Sequence, residues 1–285
     1  MIRTVPVMRG AQGVNYMKTC LSIAGSDCSG GAGIQADLKT FSALDTFGMS
    51  VIVSVVAENT ATVKSIHEVP CEIIADQIDC VFTDIPPDAV KIGMLPTSEI
   101  MRTVAAGLRA YRATPLVVDP VMVAKNGAAL MYEEARATLL TEILPLATVL
   151  TPNLPEAEVI LGRSIATLEE MRAAAADIAA LGPASVLVKG GHRMAEDGQA
   201  HDVLFSGGRY HDFSAPRIDT PNTHGTGCTL SSAIAAYLAR GCDVVEAVER
   251  SKSYIQGAIE HALPLGHGNG PTDHFWCQHT GTGNA

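Results

Sequence analysis

The chain has 285 residues, of which 47% are hydrophobic and 18% charged, so it can bury a sizeable core and has the composition of a globular protein. Its formal net charge of −10 argues against binding to nucleic acid or to an anionic membrane surface, because the overall field would repel both. Any phosphorylated ligand must therefore be held by local groups.

The cysteines indicate a reducing compartment. There are seven of them, at positions 20, 28, 71, 80, 228, 242 and 277, without metal-ligand spacing. This pattern favours a cytoplasmic protein and argues against a zinc site. No apolar run is long enough to cross a bilayer, and the first residues lack the apolar segment of a signal peptide. We interpret residues 1–16 as an irregular N-terminal extension.

Strand-like and helix-like patterns alternate along the first half of the chain. An apolar run at 19–24 predicts a strand, which a glycine-rich loop at 25–33 connects to an amphipathic helix carrying Ile34, Leu38, Phe41 and Leu44. The loop fits neither the Walker pattern nor a dinucleotide fingerprint, so a flexible connection is the alternative interpretation. We predict further strands at 49–57, 89–92 and 116–118, and helices at 70–82 and 97–112, with a short polar segment following residue 60.

The same alternation continues in the second half. We predict helices at 132–144, from Pro155 onward, at 167–181, up to about residue 240 and at 243–262. Strands are predicted at 147–150 and 185–188, and two alternating segments around Gly207-Gly208 predict a hairpin.

These patterns predict an α/β fold. We expect one domain at 17–276 with a mostly parallel sheet, helices on both faces and a short β-hairpin addition, followed by a flexible tail at 277–285. In such folds the ligand lies at the carboxyl ends of the strands. The polar and glycine residues that follow the predicted strands should therefore converge on one rim.

The segment from Asn222 to Ser231 contains a glycine turn that leads into an alanine-rich helix. Gly225 and Gly227 allow close approach of a ligand, and free amides at a helix start favour an anion. Cys228 lies at that helix start, where we expect a lowered thiol pKa. The alternative is an ordinary helix cap with Cys228 as a small buried residue.

The rim carries groups suited to phosphoryl transfer, which requires a metal, a cation on the phosphates, amide donors and a base. Asn153 and Glu156 lie three residues apart at a helix start and can share one Mg²⁺ hydration shell, although helix capping explains the pair as well. Lys189 ends an apolar strand and needs an anionic partner, either a phosphate or an acid such as Asp119. Asp119 precedes a proline, so it is either a turn former or part of the metal network.

Several segments resemble the ribokinase-like superfamily of small-molecule kinases, and more closely the hydroxymethylpyrimidine/phosphomethylpyrimidine kinase family of thiamine biosynthesis. The superfamily has an Asn-x-x-Glu metal motif, matched by Asn153 and Glu156, and a late glycine turn ending in a catalytic acid. The resembling segments are residues 24–27, 29–40, 91–95, 151–156, 189–192, 222–231 and 266–271. The resemblance extends over residues 18 to about 276.

The resemblance implies ATP and Mg²⁺ as cofactors, a homodimer, and roles for particular residues. Cys228 stands where most relatives have Asp and would act as the base, with Gly225, Thr226 and Gly227 forming the anion hole. Asp119, Asn153 and Glu156 would hold Mg²⁺, largely through water, while Lys189, Asn153 and Thr226 would contact ATP. The pyrimidine pocket would draw on Gly25, Ala32, Asp37, Glu58, Met94 and Val121.

Glu58 departs from the family pattern, which usually has Gln at this position. A carboxylate accepts from a 4-amino group but cannot donate, so a ring nitrogen facing it requires a protonated ring or a protonated Glu58. We expect Glu58 to change the substrate preference or its pH dependence.

The leading hypothesis is an ATP-dependent kinase that phosphorylates 4-amino-5-hydroxymethyl-2-methylpyrimidine and then its monophosphate, whose phosphate the loop at 29–33 would bind. A pyridoxal or pyridoxine kinase is the nearest alternative, because its acceptor also has a flat ring and a hydroxymethyl group. A non-catalytic pyrimidine-binding regulatory protein is the alternative from another class.

Overall fold

The computed structural model describes residues 17–122, 130–191 and 197–281. The predicted N-terminal extension, His192 and residues 282–285 lie outside the described residues. None of the helices in the described part is long and apolar enough to span a membrane.

The first half of the chain alternates between strands and helices as predicted. Its elements are β1 Lys18–Gly25, α1 Gly33–Ala43, β2 Thr46–Glu58, β3 Val63–Glu68, α2 Cys71–Asp84, β4 Ala89–Ile92, α3 Ser98–Ala110 and β5 Leu116–Val118.

The second half begins with a series of short helical turns that includes α4 Arg136–Thr138. It continues with β6 Val149–Leu150, α5 Leu154–Leu161, α6 Leu168–Ala179, β7 Ser185–Lys189, β8 Gln199–Ser206, β9 Arg209–Pro216, α7 Thr226–Ala239, α8 Val244–Glu260 and α9 Trp276–His279.

Within the described residues, nine strands form one sheet in the order β3-β2-β1-β4-β5-β6-β7-β8-β9. Strands β2, β1, β4, β5, β6 and β7 are parallel, and β3, β8 and β9 pair antiparallel at the two edges. The hairpin at Gly207 and Gly208 has positive φ at both glycines, as a tight β-turn requires. The predicted fold class is thereby confirmed.

Hydrophobic cores lie on both faces of the sheet. On one face Ile74, Ile100, Ile160 and Met171, which come from α2, α3, α5 and α6, pack against the strands. On the other face a core forms among α1, α7 and α8, with Phe41, Tyr237 and Tyr254 fully buried. Because both faces are covered, a ligand site is expected at the carboxyl edge of the parallel strands.

The polar segment after residue 60 contains strand β3, which the hydrophobic pattern did not predict. The central residues of β3 are exposed, so the strand carries no apolar alternation. It forms because the edge of β2 offers unpaired backbone groups, and the register pairs Val56 with Ile66.

The predicted helix at 132–144 is instead a run of irregular turns. A 3₁₀ turn at Glu133–Ala135 leads through α4 into a π-turn at Leu139–Ile143 and a second 3₁₀ turn at Leu144–Leu146. Pro145 cannot continue a regular helix, because it lacks the amide hydrogen.

The predicted tail boundary at residue 277 falls inside α9. Cys277 is buried, and α9 packs against α8. The ordered chain therefore continues beyond the predicted domain end.

Candidate active site

A cavity of about 810 Å³ opens at the carboxyl ends of the parallel strands. Almost every site residue predicted from the sequence lies on its wall. These are Gly25, Ala32, Glu58, Met94, Asp119, Val121, Asn153, Glu156, Lys189, Gly225, Thr226, Gly227 and Cys228. The exception is Asp37.

The glycine turn forms an open helix N-terminus on the cavity wall. Gly225 has a φ of +78°, and a Cβ there would lie 1.7 Å from the carbonyl oxygen of Gly31, so only glycine fits. Helix α7 begins at Thr226, and no side chain caps it. The Thr226 hydroxyl donates instead to the Thr223 carbonyl at 2.8 Å. The Thr226 amide also donates to the Thr223 carbonyl, at 3.3 Å, so the amides that follow it at the start of α7 are the ones suited to an anion in the cavity.

The thiol of Cys228 lies in this first turn, but its predicted lowered pKa is wrong. Burial raises the pKa of Cys228 to about 11, and this effect outweighs the lowering by Lys91 and by a hydrogen bond from the Gly33 backbone. Desolvation penalises the thiolate more than the local positive field stabilises it. The resting protein therefore holds a protonated thiol at neutral pH.

Asp119 and Lys189 form an ion pair beside the glycine turn. Lys189 Nζ lies 2.9 Å from Asp119 Oδ1, and Thr151 Oγ1 donates to the same oxygen at 3.2 Å. A Cβ on Gly227 would lie 3.2 Å from Asp119 Oδ2 and 3.6 Å from Lys189 Nζ. The structure therefore contains the alternative interaction, in which Lys189 pairs with Asp119. This ion pair lies beside the glycine turn.

Asn153 and Glu156 form a capping box at the start of α5. Asn153 Oδ1 accepts from the Glu156 amide at 2.9 Å, and Glu156 Oε2 accepts from the Asn153 amide at 2.8 Å. The helix-capping interpretation is therefore correct, and both residues also line the cavity. Burial, and then the charge of Asp119, raise the pKa of Glu156, while Lys189 lowers it.

The oxygen ligands at this wall fit a hydrated Mg²⁺. Two carboxylates and one amide supply the hard oxygen donors that this ion prefers. Because Asn153 Oδ1, Glu156 Oε2 and Asp119 Oδ1 already accept hydrogen bonds, the fit is to an ion held through its waters rather than by direct ligation by all three.

One set of lining residues, which we call the Glu58 arm, is apolar apart from one ionisable side chain. Met94 and Val121 belong to it, and a Cβ on Gly25 would lie 2.6 Å from the methyl group of Met94. Glu58 is the ionisable residue of this set. Burial, followed by the charge of Asp27, raises the pKa of Glu58 to about 7, while His224 lowers it.

Glu58, Asp27 and His224 bring their ligand atoms within 4.8 Å of one another. Asp27 already accepts hydrogen bonds from the amides of Ser29, Gly31 and Ala32 and pairs with His224. The cluster is therefore a hydrogen-bonded junction. These contacts also occupy loop amides that the sequence suggested for an acceptor phosphate.

Asp37 does not reach the cavity wall, which corrects its predicted role as a direct pyrimidine contact. The residue is fully buried. Lys91 Nζ lies 2.8 Å from both of its carboxylate oxygens, and Ser22 and Ser232 also donate to them. Lys91, by contrast, lines the cavity. Sequence reasoning missed Lys91, although a lysine inside an apolar strand was an available signal.

A second arm extends between the β8–β9 hairpin and α8. Ala200, Pro216, Arg217, Ile218, Ile255, Gln256 and Ile259 line it. Lys252 of α8 pairs there with Asp202 of β8 and donates to the Ala200 carbonyl at 3.1 Å. Asp202 also accepts from the Gly190 amide at 3.0 Å, so the pair holds the turn after Lys189. No local motif marks this pair in the sequence.

Anion-binding amides beside a lysine and hard oxygen ligands are the groups that phosphoryl transfer requires. Their position at the edge of this sheet places the chain among the ribokinase-like phosphotransferases. The chain belongs to the phosphomethylpyrimidine kinase family, whose model matches residues 27–273. This match confirms the resemblance carried by the sequence motifs.

Curated relatives agree with this membership. The chain is 51% identical over 258 residues to the hydroxymethylpyrimidine/phosphomethylpyrimidine kinase of Rhizobium meliloti, covering 90% of this chain and 96% of that protein. It is 52% identical over 255 residues to the thiamine biosynthesis bifunctional protein ThiED of Geobacter sulfurreducens. That match covers 90% of this chain and 52% of the relative, so the chain spans about half of that protein.

Two solved structures share the fold. An ADP complex of Bacillus subtilis pyridoxal kinase has a TM-score of 0.86 at 39% identity, covering 92% of this chain and 99% of that chain. A phosphomethylpyrimidine kinase from Clostridium difficile 630 has a TM-score of 0.76 at 47% identity, covering 85% and 99%.

Proposed function

We propose that the protein transfers phosphate from ATP to the hydroxymethyl group of 4-amino-5-hydroxymethyl-2-methylpyrimidine, and then to the resulting monophosphate. The observation that carries this proposal is the uncapped N-terminus of α7, which lines the same cavity as the Glu58 arm and the hairpin arm. Family membership supports the same reaction.

The apolar walls and polar end of the first arm suit a flat ring with an amino group. Met94 and Val121 would contact the ring faces, and protonated Glu58 would meet its polar edge with one donor and one acceptor. In this orientation the hydroxymethyl group points toward α7. Glu58 thus takes the place of the amide that the family usually has.

The hairpin arm suits the nucleotide, with its phosphates directed toward Lys189 and the amides of Gly225, Thr226 and Gly227. The thiolate form of Cys228 would accept the hydroxyl proton as the acceptor oxygen attacks the terminal phosphorus and ADP leaves. Asp119, Asn153 and Glu156 would hold hydrated Mg²⁺. When bound, this ion neutralises part of the phosphate charge.

A pyridoxal kinase is the second candidate, favoured by the fold similarity to a pyridoxal kinase. The two activities are distinguished by mass-spectrometric product analysis with ATP and Mg²⁺ against the pyrimidine alcohol, its monophosphate and pyridoxal. We expect both pyrimidine acceptors to be phosphorylated. Turnover of pyridoxal alone would overturn the assignment, and pyrimidine binding without any turnover would indicate a non-catalytic regulatory protein.

We further infer a cytoplasmic homodimer. The composition supports the compartment, and the resemblance supports the dimer. Light scattering coupled to size-exclusion chromatography tests the assembly, and a mass near 29.8 kDa would indicate a monomer instead.

A further inference from the structure

Lys91 and Asp37 form a buried ion pair that the reaction outlined above does not use. Both side chains are fully inaccessible to solvent, and Lys91 Nζ lies 2.8 Å from Asp37 Oδ2. Burying two charges costs a large desolvation energy unless the pair is well paired and hydrogen-bonded. Because Lys91 lines the active-site cavity, its buried pair with Asp37 calls for a functional explanation.

The pair lies where α1 and α7 face each other. Ser232 Oγ of α7 donates to Asp37 Oδ1 of α1 at 2.7 Å. Ser232 follows Cys228 by four residues, so it lies about one turn further along the same face of α7. Asp37 and its partner Lys91 are therefore fixed about one turn from the thiol.

Lys91 approaches Asp37 from the sheet, in addition to the contact that Asp37 makes with α7. It projects from β4, lines the same cavity as Cys228, and both hydrogen bonds of its Nζ go to Asp37. A Cβ on Gly93 would lie 2.9 Å from Nζ, so the ammonium group is held beside the strand end. The charged groups facing Cys228 are Lys91 from β4, Asp37 from α1 and Asp119 after β5, which itself pairs with Lys189 from β7.

We propose that the Lys91–Asp37 pair controls the ionisation of Cys228, with Lys91 stabilising the thiolate and Asp37 both holding Lys91 in place and moderating its effect. Lys91 and Asp37 are thus positioning residues that act through Cys228. The catalytic consequence rests on the proposed role of Cys228 as the base. The ionisation itself is a property of the protein without substrate.

The experiment measures the alkylation rate of Cys228 by iodoacetamide against pH, with peptide mass spectrometry resolving each of the seven cysteines. Asp37→Asn leaves Lys91 uncompensated, and we expect about tenfold faster alkylation at pH 7.5, equivalent to a pKa lower by about one unit. Lys91→Gln leaves Asp37 uncompensated and should slow alkylation by a similar factor. These opposite signs distinguish an electrostatic role from loosened packing, which would speed both variants.

Two further variants serve as controls for this experiment. The double variant Asp37→Asn/Lys91→Gln leaves no unpaired buried charge, so its alkylation rate should lie between the rates of the two single variants. Asp88→Asn, at the exposed Lys18–Asp88 pair, is the matched control and should leave the Cys228 rate unchanged. Single variants that shift in the same direction, or a double variant whose rate lies outside the range set by the two single variants, would overturn the proposal.

The pH profile of kcat separates this inference from the proposed function. If Cys228 is the base, the profile should move together with the alkylation profile in each variant. If alkylation moves and kcat does not, the base assignment fails, while control of the thiol by the Lys91–Asp37 pair stands.

Discussion

His224 Nε2 lies 2.9 Å from Asp27 Oδ2, and this contact joins the two glycine turns of the site across 197 positions of sequence. Asp27 closes the loop before α1 by accepting from the amides of Gly31 and Ala32. The His224 amide donates to the Gly270 carbonyl at 3.0 Å, which ties the anion turn to the C-terminal segment. One side-chain pair therefore sets the spacing of three segments around the cavity.

We predict that His224→Ala lowers kcat/KM by about 10- to 100-fold and destabilises the fold by about 1–3 kcal/mol, because Asp27 loses a buried partner. Urea denaturation and steady-state kinetics measure the two effects. His201→Ala removes a histidine–carboxylate pair of the same 2.9 Å length, in which Asp197 is exposed, and serves as the control with little change expected. Equal effects of the two substitutions would contradict the role given to His224.

The same pair gives stability a pH dependence. Although burial alone would raise the pKa of Asp27, its bonds to His224, Ser29 and Ala32 hold that pKa below the ordinary value. The stabilisation by Asp27 is therefore present above about pH 4 and lost as the pH falls further. The difference in unfolding free energy between wild type and His224→Ala should shrink in that acidic range.

Glu58→Gln should remove the ionisable group from the Glu58 arm of the cavity. The pKa of Glu58 is raised to about 7, so the wild-type carboxyl loses its donor as the pH rises through 7, whereas Gln keeps one at every pH. We expect the ratio of kcat/KM for Glu58→Gln to that for wild type to rise about tenfold between pH 6 and 9. A constant ratio would exclude this role.

The pH dependence of the unfolding free energy is an independent measure of the ionisation of Glu58. Because the folded-state pKa is raised, the folded protein binds the extra proton between about pH 4.5 and 7, and stability falls as the pH rises through this window. Glu58→Gln should therefore be more stable than wild type by about 1 kcal/mol at pH 8.5, a value discounted for partial exposure, and equal to it near pH 4.5. Glu169→Gln, at a largely exposed side chain, is the matched control.

Cys228→Ser should separate nucleotide binding from turnover. The hydroxyl keeps the packing volume but is a much weaker acid than the thiol, so it cannot serve as the same base. We expect kcat to fall at least about 100-fold while the Kd for ATP, measured by calorimetry, stays within about twofold. Cys80→Ser, at an exposed cysteine on α2, is the control. If turnover survived in Cys228→Ser, the anion turn rather than the thiol would carry the catalysis.

Lys252→Met should weaken ATP binding selectively if the hairpin arm holds the nucleotide, as proposed. The substitution leaves Asp202 without its cationic partner and loosens the Gly190 turn next to Lys189. We expect the KM for ATP to rise about tenfold, with little change in the KM for the pyrimidine. Lys18→Met breaks the exposed pair with Asp88 and should leave both constants unchanged. A parallel rise in both KM values would indicate general loss of structure instead.

Most of the fold was predictable because apolar runs and glycine-rich ends are local signals. Strands β1, β4, β5 and β7 lie within a few residues of their predicted positions. Strand β3 was missed because an exposed strand that pairs with one edge of the sheet has no apolar pattern. The regular helix predicted before β6 is replaced by irregular turns that end in a 3₁₀ turn containing Pro145. For β3, pairing with β2 outweighs local propensity. Pro145, in contrast, is a local signal in the sequence.

The sequence by itself determined that the strand-end residues meet at one rim, since parallel strands present their carboxyl ends together. It also identified the glycine turn and the Asn153–Glu156 pair as parts of that rim. Only the tertiary structure decided the charge of Cys228, because the burial that raises its pKa is created by the packing of α1 and α7. The same holds for Asp37, which became the partner of Lys91, and for the His224–Asp27 junction. Electrostatic roles depend on distances and desolvation, which residues far apart in sequence acquire only in the folded chain.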